Sequence, residues 1–158
     1  MTLNQNGESA HGSCHLLNWD LSYRAEQNIV FVQTVGPLDH TTLAAMFAAT
    51  VAFADGRGCQ RILADHRNST LKLDPLEIYY APRTLIHRGA DSKYFAALVF
   101  AQITEDLQFL ENVCRNSGLH ISMFTELNRA LQWVSGEAAP PVEPQPSPMP
   151  GANLPQHE

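Results

Sequence analysis

Apolar side chains alternate through His15–Tyr23, with Leu17, Trp19, Leu21 and Tyr23 on one side, which is the period of a strand with one inward face. Ala25-Glu26-Gln27-Asn28 reads as a turn. Ile29 to Val35 is β-branched and mostly apolar, as a central strand is. The two segments predict an N-terminal hairpin. Gly36-Pro37 is read as the end of its second strand. Asp39 then caps a helix in which Leu43, Met46, Phe47, Thr50, Val51 and Ala54 share one face, and Gly56 and Gly58 stop it. Ile62-Leu63-Ala64 reads as a short buried strand. Tyr94 to Phe100 is nearly continuous apolar, the mark of a strand covered on both faces. Thr104 caps a third helix, with Glu105 and Asp106 in its first turn and Leu107, Leu110, Val113 and Cys114 inward, and Gly118 ends it. His120 to Phe124 is a last strand, and Thr125 caps a final helix with Leu127, Ala130, Leu131 and Val134 inward.

The element order is therefore β-β-α-β-α-β-α-β-α. A hairpin followed by β-α-β crossovers predicts a mixed sheet of four or five strands, with four helices mainly on one side. Residues 14–135 form this α/β domain. Residues 1–13 are polar and read as a flexible leader. Seven prolines in 136–158 without apolar periodicity read as a disordered tail.

Composition narrows the class. The 158 residues suit one domain with a sizeable core, since 44% are hydrophobic and only 16% charged. Net charge is −6, and Glu137, Glu143 and Glu158 in the tail account for half of it. The absence of a basic stripe argues against nucleic acid or an anionic membrane as partner. Cys14, Cys59 and Cys114 are too widely spaced for a disulfide framework or a zinc pattern, and Cys114 is expected to be a buried free thiol. No run approaches the roughly 20 apolar residues of a membrane span, and no signal peptide is visible, so a cytoplasmic location is expected.

The chemistry concentrates between Arg61 and Glu77. Asp65 to Leu73 is polar and reads as a loop leaving the carboxyl end of a strand, the place where α/β proteins keep their sites. Asp74-Pro75-Leu76-Glu77 is a helix start with a capping box and proline at the first helical position. That helix is expected to kink or divide at Pro82, and Gly89 stops it. Asp65 and His66, with Arg67 beside them and Ser69 nearby, have the composition of an acid–base pair but no nucleophile-elbow context. His40, His66 and His87 each lie near a strand–helix junction, without metal-ligand spacing. No glycine-rich phosphate loop is present, so neither catalysis nor a cofactor or metal is expected. Tyr79 and Tyr80 point about 100° apart on a helix. One is expected in the core and the other half exposed, where with Arg83 and His87 it would suit a recognition surface.

Three stretches resemble a known family. They are Arg61-Ile-Leu-Ala-Asp65 with its capped helix, Tyr94-Phe-Ala-Ala-Leu-Val-Phe100 with Thr104 and its helix, and Asn116 to Trp133, where a glycine turn, a short strand and a final Ala-Leu-x-Trp helix follow closely. Over roughly His15 to Val134 the pattern resembles the STAS domain of bacterial anti-sigma factor antagonists, and within it the SpoIIAA-like branch, often grouped with Sec14-type lipid-binding domains. The resemblance implies a non-catalytic, regulatory, protein-binding module. It also implies a phospho-acceptor near the helix after the third strand, where Ser69 and Thr70 are the nearest matches. The usual Asp-Ser-Ser-Gly context is replaced by Asn68-Ser-Thr-Leu-Lys, and the two hydroxyls also suit turn residues. Asp65, His66, Arg67, Tyr79, Tyr80 and Arg83 are the expected interaction or ligand surface. The alternative is a carrier with an apolar small-molecule or lipid pocket between sheet and helices. Homodimerisation suits either reading.

Overall fold

The computed structural model describes residues 2–3 and 9–136. Within them one mixed sheet runs in strict chain order. Its strands are β1 (Thr2–Leu3), β2 (Ser9–Cys14), β3 (Leu17–Arg24), β4 (Ile29–Leu38), β5 (Arg61–Leu71), β6 (Phe95–Val99) and β7 (His120–Phe124). The first four pair antiparallel, and β4 to β7 are parallel neighbours. The helices are α1 (His40–Asp55), α2 (Pro75–His87), α3 (Glu105–Asn116) and α4 (Leu127–Val134). This is the expected α/β class, with the expected order of elements from β3 onward and two strands added before it, so the sheet has seven strands where four or five were expected.

The extra strands correct the reading of a flexible leader for Thr2–Leu3 and from Ser9 to Ser13; residues 1 and 4–8 lie outside the described residues. Ser9–Cys14 pairs along its length with Leu17–Ser22, and its Ala10 is buried in the core. A short polar strand beside glycine leaves little apolar signal. The tail expected over 136–158 lies, beyond Gly136, outside the described residues.

Two further corrections matter for function. β4 does not stop at Gly36-Pro37, and the polar stretch from Asp65 is strand as far as Leu71, not loop. Val35 pairs with Asn68, Gly36 with Ser69, Pro37 with Thr70 and Leu38 with Leu71, and Lys72 N–H donates to the Leu38 carbonyl at 2.8 Å. The neighbours end earlier. β3 pairs with β4 only to Val35, and β6 pairs with β5 only to Asp65. The last turns of β4 and β5 are thus a two-stranded ribbon projecting beyond the sheet. Pro37 is tolerated because β4 has no β3 partner there to receive an N–H. Gly36 sits at φ +117°, and a Cβ on it would lie 2.3 Å from the Leu16 carbonyl oxygen, so the β2–β3 turn packs directly on this bare backbone.

Three right-handed crossovers stepping the same way place their helices on one face. Accordingly, Val30 and Val32, Ile62 and Ala64, and Ala96 and Leu98 pack toward the crossover helices. The opposite face carries Ile29, Phe31, Leu63, Ala97 and Val99 under α4, packed on Ala130 and Val134. This is why β6 reads as apolar throughout. α1 opens with a capping box between Asp39 and Thr42, and α2 with one between Asp74 and Glu77. Thr104 caps α3 as expected. For α4 the cap residue is Glu126 rather than Thr125, and it makes no side-chain cap bond. α2 is one helix rather than two, with Pro82 on its buried side.

α2 does not seat on the sheet. It packs chiefly on α3 and to a lesser degree on α1, standing off the strands. The strand residues below it, Ala64 and Ala96, are small. Ala96 and Leu98 stay half-buried although they point under the helices, because a void lies between them and α2.

Replacing Gly36 by Ala should destabilise the fold by about 2–3 kcal/mol, combining backbone strain with overpacking. Urea denaturation measures this, and an unchanged midpoint would contradict the close packing of the turn on β4.

Candidate functional site

The ladder between β4 and β5 contains a bulge. Gln33 pairs with Asp65 and Val35 with Asn68, so one residue on β4, Thr34, stands opposite two on β5, His66 and Arg67. The extra residue lets His66 and Ser69 both point toward the helices beside Thr34. Thr34 Oγ1 hydrogen-bonds His66 Nδ1 at 2.7 Å and Ser69 Oγ at 2.7 Å. The His66 ring lies 5.1 Å from the Phe100 ring and is 2% exposed. Burial pushes its pKa down to about 4, against a smaller upward pull from the Asp65 carboxylate. It is therefore neutral at pH 7.

Asp65 points to the other face of the sheet. Its carboxylate accepts from Arg67 Nε at 2.9 Å and from Arg67 Nη2 at 2.8 Å. Arg67's side-chain hydrogen bonds hold the Asp65 carboxyl below its ordinary range, against the upward push of burial. Asp65 borders a polar hollow of about 240 Å³ with Asn18, Gln33 and Asn68. The adjacent Asp65 and His66 therefore form no dyad, because strand alternation sends them to opposite faces and each has another partner. His40 and His87 are exposed while His66 is buried, so the three histidines do not converge. Among the described residues no group of three or more His, Cys, Asp or Glu could hold a metal ion.

The ribbon overhangs the start of α3. Between them lies a cleft of about 330 Å³ bordered by Ser69, Thr70, Gln102, Thr104 and Asp106. Ser69 is half-buried by its bond to Thr34, whereas Thr70 is exposed. The two candidate acceptors thus differ in access, as strand residues on opposite sides must.

α2 carries apolar residues on both sides. Ile78, Ala81, Pro82 and Leu85 are buried. On the opposite side Leu76, Tyr79, Tyr80, Arg83 and Ile86 follow at i, i+3, i+4, i+7 and i+10, one stripe at 100° per residue. Leu76 is 64%, Tyr79 57%, Tyr80 44% and Ile86 47% exposed. Both tyrosines are therefore outside, against the expectation of one in the core. Their rings meet edge-on at 5.1 Å, and the Arg83 guanidinium lies 5.5 Å from the Tyr80 ring centre. A surface helix ordinarily turns a polar side to water.

Beneath α2 is the void. It measures about 70 Å³ and is walled by Met46, Phe47, Leu85, Ala96, Leu98 and Met123 among others, with His66 in its wall. Cys114, also in the wall, is buried as expected, and burial pushes its thiol pKa up to about 12. No helix among the described residues is long and apolar enough to cross a membrane.

No family model matches the chain, and no curated protein matches it. Among solved structures, one similar chain is described as the anti-sigma factor antagonist SpoIIAA in its unphosphorylated form. It shares 15% identity, the match covers 77% of this chain and 99% of that one, and the TM-score is 0.43.

His66 sets a pH dependence. Its folded-state pKa lies below the unfolded one, so its neutral form stabilises nothing extra above about pH 6.5. As pH falls toward 4 the unfolded chain takes the proton first and the fold weakens. At pH 5 this amounts to about 2 kcal/mol. Comparing urea stabilities at pH 7.5 and pH 5, wild type should lose that much more than His66→Asn. Equal losses would mean that His66 is not buried neutral.

Proposed function

We propose that this chain is a non-catalytic protein-interaction module of STAS type with a regulatory role, and that its partner docks on the outer side of α2. The observation that carries this reading is the second apolar side of α2. Leu76, Tyr79, Tyr80 and Ile86 are four of the seven large hydrophobics exposed among the described residues. Gathered on one helix beside Arg83, they have the composition of an interface centre, which favours tyrosine and arginine. Arg83 gives the surface positive charge beside the Tyr80 ring, which suits an acidic rim on the partner.

The non-catalytic part of the reading is supported by the separation of Asp65 and His66, the residues best fitted to exchange a proton. The lipid-carrier alternative is disfavoured by size. A void of about 70 Å³ is roughly half the ~150 Å³ that admits benzene, too little for an acyl chain. For regulation by phosphorylation, Thr70 is the acceptor of choice, because Ser69 must first leave its bond to Thr34. A phosphate there would bring about −2 charge near Asp106 across the cleft, and like charges would press the ribbon away from α3.

The test is a photo-crosslinking amino acid placed at position 79 and, as a control, at position 132 on α4, in the protein's own host. Position 79 should yield one dominant protein adduct that position 132 does not, and Tyr80→Ala with Arg83→Glu should reduce it at least tenfold, as expected for loss of hot-spot contacts. Equal adducts at both positions, or an adduct insensitive to the double substitution, would overturn the assignment. An adduct to a second copy of this chain would make the face a homodimer interface.

A further inference from the structure

We propose that the void beneath α2 is a binding site for a small uncharged molecule, mainly hydrocarbon, that carries one hydroxyl group to pair with His66 Nε2. The site lies on the inner side of α2 and stands independently of what docks on the outer side.

The polar feature of the wall is the starting point. His66 is fully buried, and its Nδ1 is bonded to Thr34. Among the described residues its other ring nitrogen, Nε2, has no hydrogen-bond partner, and the ring forms part of the void's wall. An unpaired ring nitrogen that borders open space gains a hydrogen bond from any ligand that brings a donor or acceptor to it. The neutral imidazole presents either a donor or an acceptor at Nε2, according to tautomer, and a hydroxyl meets both cases because it donates and accepts. The remaining wall sets the rest of the ligand. Thr50, the one hydroxyl-bearing residue of the wall, already donates to the Met46 carbonyl at 2.8 Å. The other side chains are aliphatic or aromatic, with Met46 and Met123 and the Cys114 sulfur. No charged side chain borders the void, so a charged ligand would lose its hydration without compensation.

The volume sets the size. Scaled from a ~150 Å³ cavity that takes the six carbons of benzene, about 70 Å³ holds about three heavy atoms. The two methionines, flexible and polarisable, let this wall yield for about one atom more, the size of 1-propanol. The void exists because α2 bridges α1 and α3 above two alanines, Ala64 and Ala96, so the cavity is a property of the helix's seating and not of one missing side chain.

The experiment is NMR of the full chain carrying 13C-methyl methionine and 15N histidine, titrated with xenon under pressure and with 1-propanol. Both probes should shift the Met46 and Met123 methyls saturably, and propanol, unlike xenon, should also move the His66 Nε2 resonance. Ala96→Leu, which fills the void, should weaken both probes at least tenfold while keeping a folded, dispersed spectrum. Methyl shifts that stay linear in probe concentration, or that persist in Ala96→Leu, would overturn the site. Saturable shifts with His66 Nε2 unmoved by propanol would overturn the hydroxyl recognition. Should Ala96→Leu not fold, the contrast between xenon and propanol at His66 Nε2 decides by itself.

Discussion

β4 and β5 stay hydrogen-bonded past the points where their other neighbours leave them. Val30 through Leu38 follows Ile62 through Leu71 as one parallel ladder, interrupted by a single extra residue on β5. That continuity converts the stretch richest in functional groups from a loop into a paired strand. It fixes Asp65 and His66 on opposite faces, ties His66 and Ser69 to Thr34, and leaves Thr70 outward. A loop could have brought the carboxylate and the imidazole together, but a strand cannot. The polar character of Asp65–Leu71 follows from its place in a ribbon covered on fewer sides than the sheet proper, where polar side chains still reach water.

The second consequence concerns α2. Its start is held by the end of the ribbon and the Asp74–Glu77 capping box. Its inner side offers Ala81 and Pro82 as well as Ile78 and Leu85, and the strands beneath present alanines. With small groups facing small groups, the helix rests on α1 and α3 and leaves a gap below. Its outer side remains apolar, so one helix borders both the interior void and the exposed aromatic stripe. The two features need no common ligand, but any change in how α2 is seated alters both.

Much of the fold was legible in the sequence because it rests on local chemistry. Asp39, Asp74 and Thr104 cap helices as their spacing predicts, and the inward stripes of α1 and α3 follow the 3.6-residue period. The apolar run in β6 signalled cover on both faces, which α4 provides. What was not legible depends on partners distant in sequence. Gly36-Pro37 has the composition of a turn, and only the absence of a β3 neighbour makes it acceptable in a strand. Ser9–Cys14 has no apolar alternation beyond Ala10 and is strand because β3 lies beside it. Tyr79 and Tyr80 both face out because the inner side of α2 is already filled by Ile78, Ala81 and Leu85. The burial of His66 did leave a signal: Ile62, Ala64 and His66 occupy alternate positions, and extending the two-residue period one step places the imidazole under the helices.

The most direct measurement is amide hydrogen exchange across residues 65–71. A paired ribbon predicts that the amides of Asn68–Leu71 that bond to β4 exchange at least about 100-fold more slowly than an unstructured chain, with protection approaching that of Ile62–Ala64. Exchange within about tenfold of the unstructured rate would mean that the segment is a loop, and the separation of Asp65 from His66, with the non-catalytic reading built on it, would fall.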